Sequence, residues 1–331
     1  MTIASPMGTT TQTGLAGLLC EVTEEPVTFQ ECLACAQRGA PGCPMVPAIV
    51  HDIAGSVRDP EYANGLAKQA GADLGFSVTE LLTCPRQHRL KKLYTYWEKP
   101  SGMYRMTFGS GYHAALSKYS AGIAEERLTW KFTLQGKSVL LVGTPDLIES
   151  KPDGWFITDY KVTGNPPFGR KVPICNHCDL EMYKGDDGLT CPNCGALNPR
   201  SSAVSRVFRP AQARSSHVEQ VNLYALLIEK NAAHLALKHN LADPVDRFCG
   251  AQIAYLSQKG VVRCDVQLDR AATLALLKLR LTALLSHNLP PVIDDADELW
   301  RCDYCAVRAH CEQLHGEPVG KAATLSTETS E

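Results

Sequence analysis

The sequence predicts an α/β fold, and three observations predict it. Helix-like and strand-like apolar patterns alternate between about residue 77 and residue 286. The strand runs are short and bounded by Gly- and Asp-containing turns. The 331 residues are 44% hydrophobic and 21% charged, enough to bury a sizeable core and too apolar for a disordered or fibrous chain. Lys+Arg number 33 against Asp+Glu 35, a formal net charge of −2, so nucleic-acid contact has to come from local patches.

Residues 1–28 open on a Thr-, Gly- and Ser-rich stretch and are expected to be disordered, as is the polar tail 316–331. Residues 29–75 form an arm that contains cysteines. From Ser77, residues Val78, Leu81, Leu82, Leu90 and Leu93 fit an amphipathic helix, with Ser77 and Glu80 as a capping box and an interruption at Cys84-Pro85. A second helical stretch surrounds Phe108–Tyr119. Strand-like runs follow at 128–134, 138–143 and 155–160, with turns at Gly136-Lys137 and Asp153-Gly154 that suggest a meander. A helix over 217–239, strands near 249–256 and 261–268, and a helix over 269–286 complete the pattern. Between them, residues 165–216 lose apolar periodicity and carry Gly, Pro and paired cysteines, which marks an insertion.

The central chemical signal is Gly143-Thr144-Pro145-Asp146, then twelve residues, then Asp159-Tyr160-Lys161. Two carboxylates at the ends of adjacent strands, with a lysine two residues after the second, converge on one point. That point suits a hard divalent cation such as Mg²⁺ or Mn²⁺, able to activate water beside a phosphate. The plainer reading is a salt-bridged surface hairpin. Upstream, Gly109-Ser110-Gly111-Tyr112-His113 presents an imidazole, and downstream Gln220 and Tyr224 share a helix face. Either element alone says little.

In this order the elements resemble the RecB-type branch of the PD-(D/E)XK nuclease superfamily, over roughly residues 77–289 apart from the insertion. The resemblance implies a restriction-endonuclease-like mixed sheet flanked by helices, built from 76–164 and 217–300. It implies metal ligation by His113, Asp146, Asp159 and the carbonyl of Tyr160, a catalytic Lys161, and support from Gln220 and Tyr224. The absence of a Walker A sequence leaves no recognisable helicase motor in this chain.

Cys84 lies 218 residues before Cys302, which with Cys305 and Cys311 forms C-x2-C-x5-C in a segment over 301–315. One early cysteine and a late trio resemble the iron–sulfur staple of AddB-type and CRISPR-associated RecB-like nucleases. Spacing alone suits a 4Fe–4S cluster and Zn²⁺ equally; the resemblance favours the cluster. The insertion carries Cys175-x2-Cys178 and Cys191-x2-Cys194, a zinc-ribbon pattern in which four thiolates close a tetrahedral site. Cys32, Cys35 and Cys43 make a third, incomplete group that Cys20 or His51 could complete. Cys249 and Cys264, in apolar strands, read as small core residues.

Arg86, Arg89, Lys91 and Lys92 fall in an acid-free stretch interleaved with Tyr94, Tyr96 and Trp97, which suits phosphate contact and base stacking, although solvated charge is the default. Arg200, Arg206, Arg209 and Arg214 form a second such stretch beyond the ribbon. The longest apolar run, 271–285, is broken by Lys278 and Arg280, so no membrane span is expected, and the Leu18-Leu19-Cys20 sequence lacks the basic region of a lipoprotein signal. A cytoplasmic location is expected.

The favoured expectation is a metal-dependent DNA nuclease acting on single strands or ends, in repair, CRISPR adaptation or phage DNA processing, beside a helicase or CRISPR integration proteins. The competing class is an inert module that binds DNA or protein through its ribbon and cluster; a zinc-ribbon transcription or assembly factor is a third. His113, Asp146, Asp159 and Lys161 occurring together favours the enzyme.

Overall fold

The computed structural model describes residues 14–56, 61–185, 188–198, 205–241, 247–293 and 298–319. The first part of the chain runs β1 (Gly14–Leu19), β2 (Pro26–Val27), α1 (Phe29–Gln37), α2 (Pro47–Ser56), α3 (Tyr62–Gln69), β3 (Leu74–Ser77), α4 (Val78–Leu81), α5 (Pro85–Leu93), β4 (Thr95–Glu98) and α6 (Pro100–Ser117). Residues 14–28, expected to be disordered, are ordered. β1 pairs antiparallel with β2 and parallel with β4, and Leu18 is fully buried with Val50, Ile53 and Met103. Partners distant in sequence thus override a loop-like local composition. Ser77 accepts from the Glu80 N–H and Glu80 accepts from the Ser77 N–H, a capping box that starts α4. Pro85 opens α5, where its missing N–H costs nothing.

The chain continues β5 (Ile123–Ala124), β6 (Leu128–Leu134), β7 (Lys137–Gly143), β8 (Leu147–Lys151), β9 (Gly154–Val162), β10 (Arg170–Ile174), β11 (Tyr183–Gly185), β12 (Gly188–Thr190), β13 (Leu197–Asn198) and β14 (Ser205–Arg209). It ends with α7 (Ser215–Lys238), β15 (Phe248–Ser257), β16 (Gly260–Asp265), α8 (Arg270–Leu285), α9 (Trp300–Asp303) and α10 (Arg308–His315). The architecture is mixed α/β. The largest sheet has the order β16-β15-β9-β8-β5, with β15 parallel to β9 and the other neighbours antiparallel; β3-β7-β6 form a second, mixed sheet.

The expected meander is not formed. β6 and β7 make a hairpin in one sheet, whereas β8 and β9 make a hairpin in the other. The chain changes sheets across Gly143-Thr144-Pro145-Asp146, where Pro145 has no N–H to donate to a ladder. Gly143 is required there by close approach: a Cβ on it would lie 2.5 Å from Leu227 Cδ1 and 3.1 Å from Tyr224 Cε1. The intervening strand β8 had no reading in the sequence, because its five residues LIESK offer little alternation.

α7 organises the core. Its Val221, Leu223, Leu227 and Ile228 are buried against Val139 and Leu141 of β7, Trp155 and Ile157 of β9, Ile253 and Tyr255 of β15, and Leu277 and Leu281 of α8. Each such side chain removed from water contributes about 1.5–3 kcal/mol. Cys264 joins this core, whereas Cys249, also expected inside, is exposed, because it stands where the β15 ladder shifts register between Phe248 and Gly250. Residues 316–319, expected in a disordered tail, are ordered: Val319 is buried beside Leu90, Cys302 and Cys311. The remainder of that tail, residues 1–13 and Arg200 lie outside the described residues. Among the described residues no helix is long and apolar enough to cross a membrane.

Candidate functional site

The two hairpin strands β8 and β9 and the helix α6 bring one group of polar side chains together. Asp146 immediately precedes β8, and its Oδ2 accepts from the Tyr160 N–H of β9 at 2.7 Å. Its Oδ1 lies 3.0 Å from His113 Nδ1, near the end of α6. This contact raises the His113 imidazole above its ordinary value, against the opposing effect of burial. Glu125 Oε1 lies 3.9 Å from the same His113 nitrogen, and the Glu125 N–H donates to the Asp146 carbonyl.

Asp159 sits in the middle of β9 and is fully buried. Its Oδ2 is 2.6 Å from Lys161 Nζ, on the same face of the strand two residues on. Burial pushes the Asp159 carboxyl up to about 6, with Asp146 adding to the rise and Lys161 opposing it. Asp159 Oδ1 has no hydrogen-bond partner among the described residues. A buried carboxylate oxygen without a donor is costly, and a cation is one way to satisfy it. His113 and Asp159 each lie within the electrostatic reach of Lys161, and Asp146 bears on both, so the hairpin and α6 together present one cluster of interacting charges.

Across this cluster, Gln220 Nε2 donates to the Tyr224 hydroxyl at 2.8 Å on α7, and Tyr224 packs over Gly143. Three residues that sequence reasoning missed adjoin it. Tyr255 is the β15 register partner of Lys161, and its hydroxyl lies 2.9 Å from His217 Nδ1 and accepts the Arg214 N–H at 3.0 Å. Burial, then the Lys161 charge, drives the His217 imidazole down to about 3, so it stays neutral near pH 7. Glu125 was the third omission. Its only sequence signal was a carboxylate after a short apolar pair, which is commonplace.

The ribbon cysteines converge. Cys175 and Cys194 sulfurs are 3.6 Å apart, Cys178 and Cys191 3.3 Å, and Cys178 and Cys194 3.8 Å. The two CxxC turns repeat one another: the Cys175 and Cys191 N–H groups donate to the carbonyls of Leu180 and Ala196, while Asp179 and Gly195, both left-handed, donate back to the cysteine carbonyls. β10 and β14 form an antiparallel arm that carries this unit. The four thiols could hold a metal.

Cys84, Cys302, Cys305 and Cys311 line one cavity together with Arg86, Leu90, Arg301, Val307 and Arg308. Among the described residues, the groups with three or more ligand atoms within 4.8 Å of one another are the ribbon thiols and His113, Glu125 and Asp146, so no three of the cavity thiols lie that close together. Arg86, read from sequence as a nucleic-acid contact, is buried here instead: its Nε donates to Cys311 Sγ at 3.1 Å and its Nη1 to the Pro290 carbonyl at 2.9 Å. Lys91, of the same group, is held by Glu98 at 2.7 Å, while Arg89 is half-buried and Lys92 exposed. Helix periodicity explains the difference, since α5 turns Arg86 and Leu90 inward together.

Cys32 and Cys35 lie one turn apart on α1, Cys43 follows its C-terminus, and Cys20 opens the β1–β2 turn. His51 is exposed on α2.

No family profile matches the chain, and a comparison with curated proteins gives no match. Among solved structures the chain is similar to the crystal structure of SSO0001, with 15% identity and a TM-score of 0.42 over 76% of this chain and 93% of that one. A likeness this slight assigns neither family nor activity.

Proposed function

We propose that the chain is a metal-dependent nuclease with a restriction-endonuclease-like core, hydrolysing phosphodiesters of single-stranded DNA or DNA ends. The observation that carries this reading is buried Asp159, ion-paired with Lys161 on one side and short of a donor on the other, beside the Asp146–His113 pair. Residues fit to hold a divalent cation are His113, Asp146 and Asp159, with the Tyr160 carbonyl from the family resemblance and Glu125 from its position. Ligand distances of about 2.1 Å place opposite donors roughly 4.2 Å apart, comparable with the spacing within the His113, Glu125 and Asp146 group. When bound, such an ion supplies Lewis-acid stabilisation of a phosphate and an acidified water.

The chain's own residues supply the rest. The Tyr160 N–H fixes the orientation of Asp146, and Asp146 in turn fixes the His113 ring. Lys161, half-buried beside Asp159, places an ammonium where charge accumulates on phosphate oxygens. The rings of Tyr104, Phe108 and Tyr112 are exposed one turn apart on α6, with neighbouring centroids 6.1 and 5.5 Å apart, and lead to His113. Such a ladder offers π-faces to unpaired bases, which supports a single-stranded substrate. Arg206 and Arg209, exposed on β14, add positive charge for phosphates.

For the thiols, four sulfurs around Zn²⁺ at about 2.3 Å stand roughly 3.8 Å apart, as in the ribbon, which supports zinc there. The wider spacing around the cavity, with an Arg86 N–H aimed at Cys311 Sγ, supports a 4Fe–4S cluster.

Mn²⁺-dependent degradation of labelled single-stranded DNA tests the reading. It is expected to fall at least about 10²-fold in Lys161→Ala and in Asp146→Ala, with circular dichroism unchanged. Full activity in both variants overturns it, and binding that persists with no cleavage by wild type favours the inert module.

A further inference from the structure

The β10–β14 arm is rooted beside the Asp146–Asp159 cluster on both sides. Arg170, at its base, follows Lys161 by nine residues, and Arg209, the register partner of Arg170, precedes Gln220 by eleven. Nine residues span about 30 Å at most, so the arm starts close to the site. Its root is fixed to the large sheet. The Thr163 N–H donates to the Leu256 carbonyl at 3.0 Å, the Lys259 ammonium to Asn165 Oδ1 at 3.4 Å, and the Arg214 N–H to the hydroxyl of Tyr255, the register partner of Lys161.

Opposed residues of an antiparallel pair share a face, so Lys171 and Phe208, followed by Pro173 and Arg206, line one face of the arm. Lys171, Arg206 and Phe208 are exposed there, whereas Val172 and Ile174 on the opposite face are buried. The Phe208 ring rests on Gly169, where a Cβ would come within 2.5 Å of the ring Cζ, and yet Phe208 is 61% exposed. Gly169 thus leaves open the space that the ring occupies. Residues 165–174 and 205–214 contain Arg170, Lys171, Arg206, Arg209 and Arg214 and no Asp or Glu, in a chain of net charge −2. Arg170 is paired with Glu181, but Lys171, Arg206 and Arg209 make no salt bridge among the described residues.

Charge on an exposed strand commonly keeps other strands from pairing with it. That role gains nothing from a bare phenyl ring between the charges, which by itself invites association. A ring propped on backbone, open to water and flanked by two cations is the arrangement that stacks a base and holds the phosphates beside it.

We propose that this face of the β10–β14 arm is a second single-strand site, in which Phe208 stacks a base while Lys171 and Arg206 hold neighbouring phosphates. The proposal rests on the nuclease reading for its substrate class. What it adds is a task for the insertion, which grips the strand outside the catalytic cluster and so makes long strands bind more tightly than short ones.

Fluorescence anisotropy of the full chain with labelled oligothymidylate of about 30 nucleotides, without added divalent cation so that nothing is cut, tests it. Phe208→Ala is expected to weaken binding roughly 5- to 150-fold. Lys171→Gln/Arg206→Gln is expected to flatten the slope of log affinity against log salt by about 1.4, the value for two single-strand phosphates. Wild-type affinity in the first variant, or a wild-type slope in the second, overturns the proposal, as does equal weakening by Phe208→Ala for a blunt duplex of the same length. If Phe208→Ala loosens the arm, the double variant decides alone, since both of its side chains are exposed. Mn²⁺-dependent cleavage by wild type is a separate readout. Its absence removes the nuclease reading while the binding comparison still decides the arm, and unchanged binding in both variants beside intact cleavage removes the arm alone.

Discussion

Asp159 and His88 illustrate how burial, more than residue type, sets the behaviour of single side chains in this protein. His88 on α5 is driven from 6.5 down to about 4, first by desolvation and then by the charges of Lys92, Arg89 and Lys91. A depressed imidazole stabilises the fold fully above pH 6.5, and that contribution is lost as pH falls toward about 4, because the unfolded chain takes up the proton first. His88→Gln is therefore expected to lose less stability than wild type between pH 6.5 and 4 in urea titrations; matching slopes would contradict this. Asp159 has the opposite sign. Its raised carboxyl stabilises the fold below about 3.8 and loses that contribution as pH rises through about 6. The His113 donor adds a nitrogen to an oxygen-rich site, so cleavage is expected to be faster with Mn²⁺ than with Mg²⁺ at equal concentration, which a metal titration measures.

α6 and the ribbon are elements whose roles separate from the core. Phe108→Ala removes the middle ring of the α6 ladder, and stacking worth about 1–3 kcal/mol predicts single-strand binding weakened roughly 5- to 150-fold, with duplex binding little changed. Equal weakening for both substrates would argue against stacking. The ribbon's own core is Cys175, Met182, Leu189 and Cys191, of which two are thiols of the site. Removing its ligands in Cys178→Ser/Cys194→Ser is expected to expose residues 175–198 to protease while the main melting transition stays in place, since α7 and the large sheet pack elsewhere.

At the scale of the whole molecule, early and late segments of the chain pack together where α5 meets α10. Cys84 caps the N-terminus of α5, which packs against α10, with Tyr94 and His310 stacked at 4.3 Å. The cluster proposed for Cys84, Cys302, Cys305 and Cys311 would close a loop of 218 residues, which removes roughly 4 to 5 kcal/mol of unfolded-state entropy on the disulfide scale. With the proposed 4Fe–4S cluster in place, Cys302→Ser is expected to bleach its visible absorbance and to speed hydrogen exchange in α5 and α10, leaving β9 and β15 protected. Exchange that accelerates evenly across the chain would mean that this contact and the core are one cooperative unit.

Local chemistry accounts for what the sequence disclosed by itself. The Ser77–Glu80 cap, the long helices α7 and α8, the β6–β7 hairpin and the CxxC turns all depend on residues within about one turn or one hairpin of each other, so their signals survive without the fold. Asp146, Asp159 and Lys161 were legible for the same reason, being placed by strand alternation. Tertiary structure alone decided the pairing of β1 with β4, the passage from one sheet to the other at Pro145, the burial of Arg86, and the addition of Glu125, His217 and Tyr255 to the site. Each of these rests on contacts between segments far apart in the chain, and no local pattern encodes a partner that only the packed core brings near.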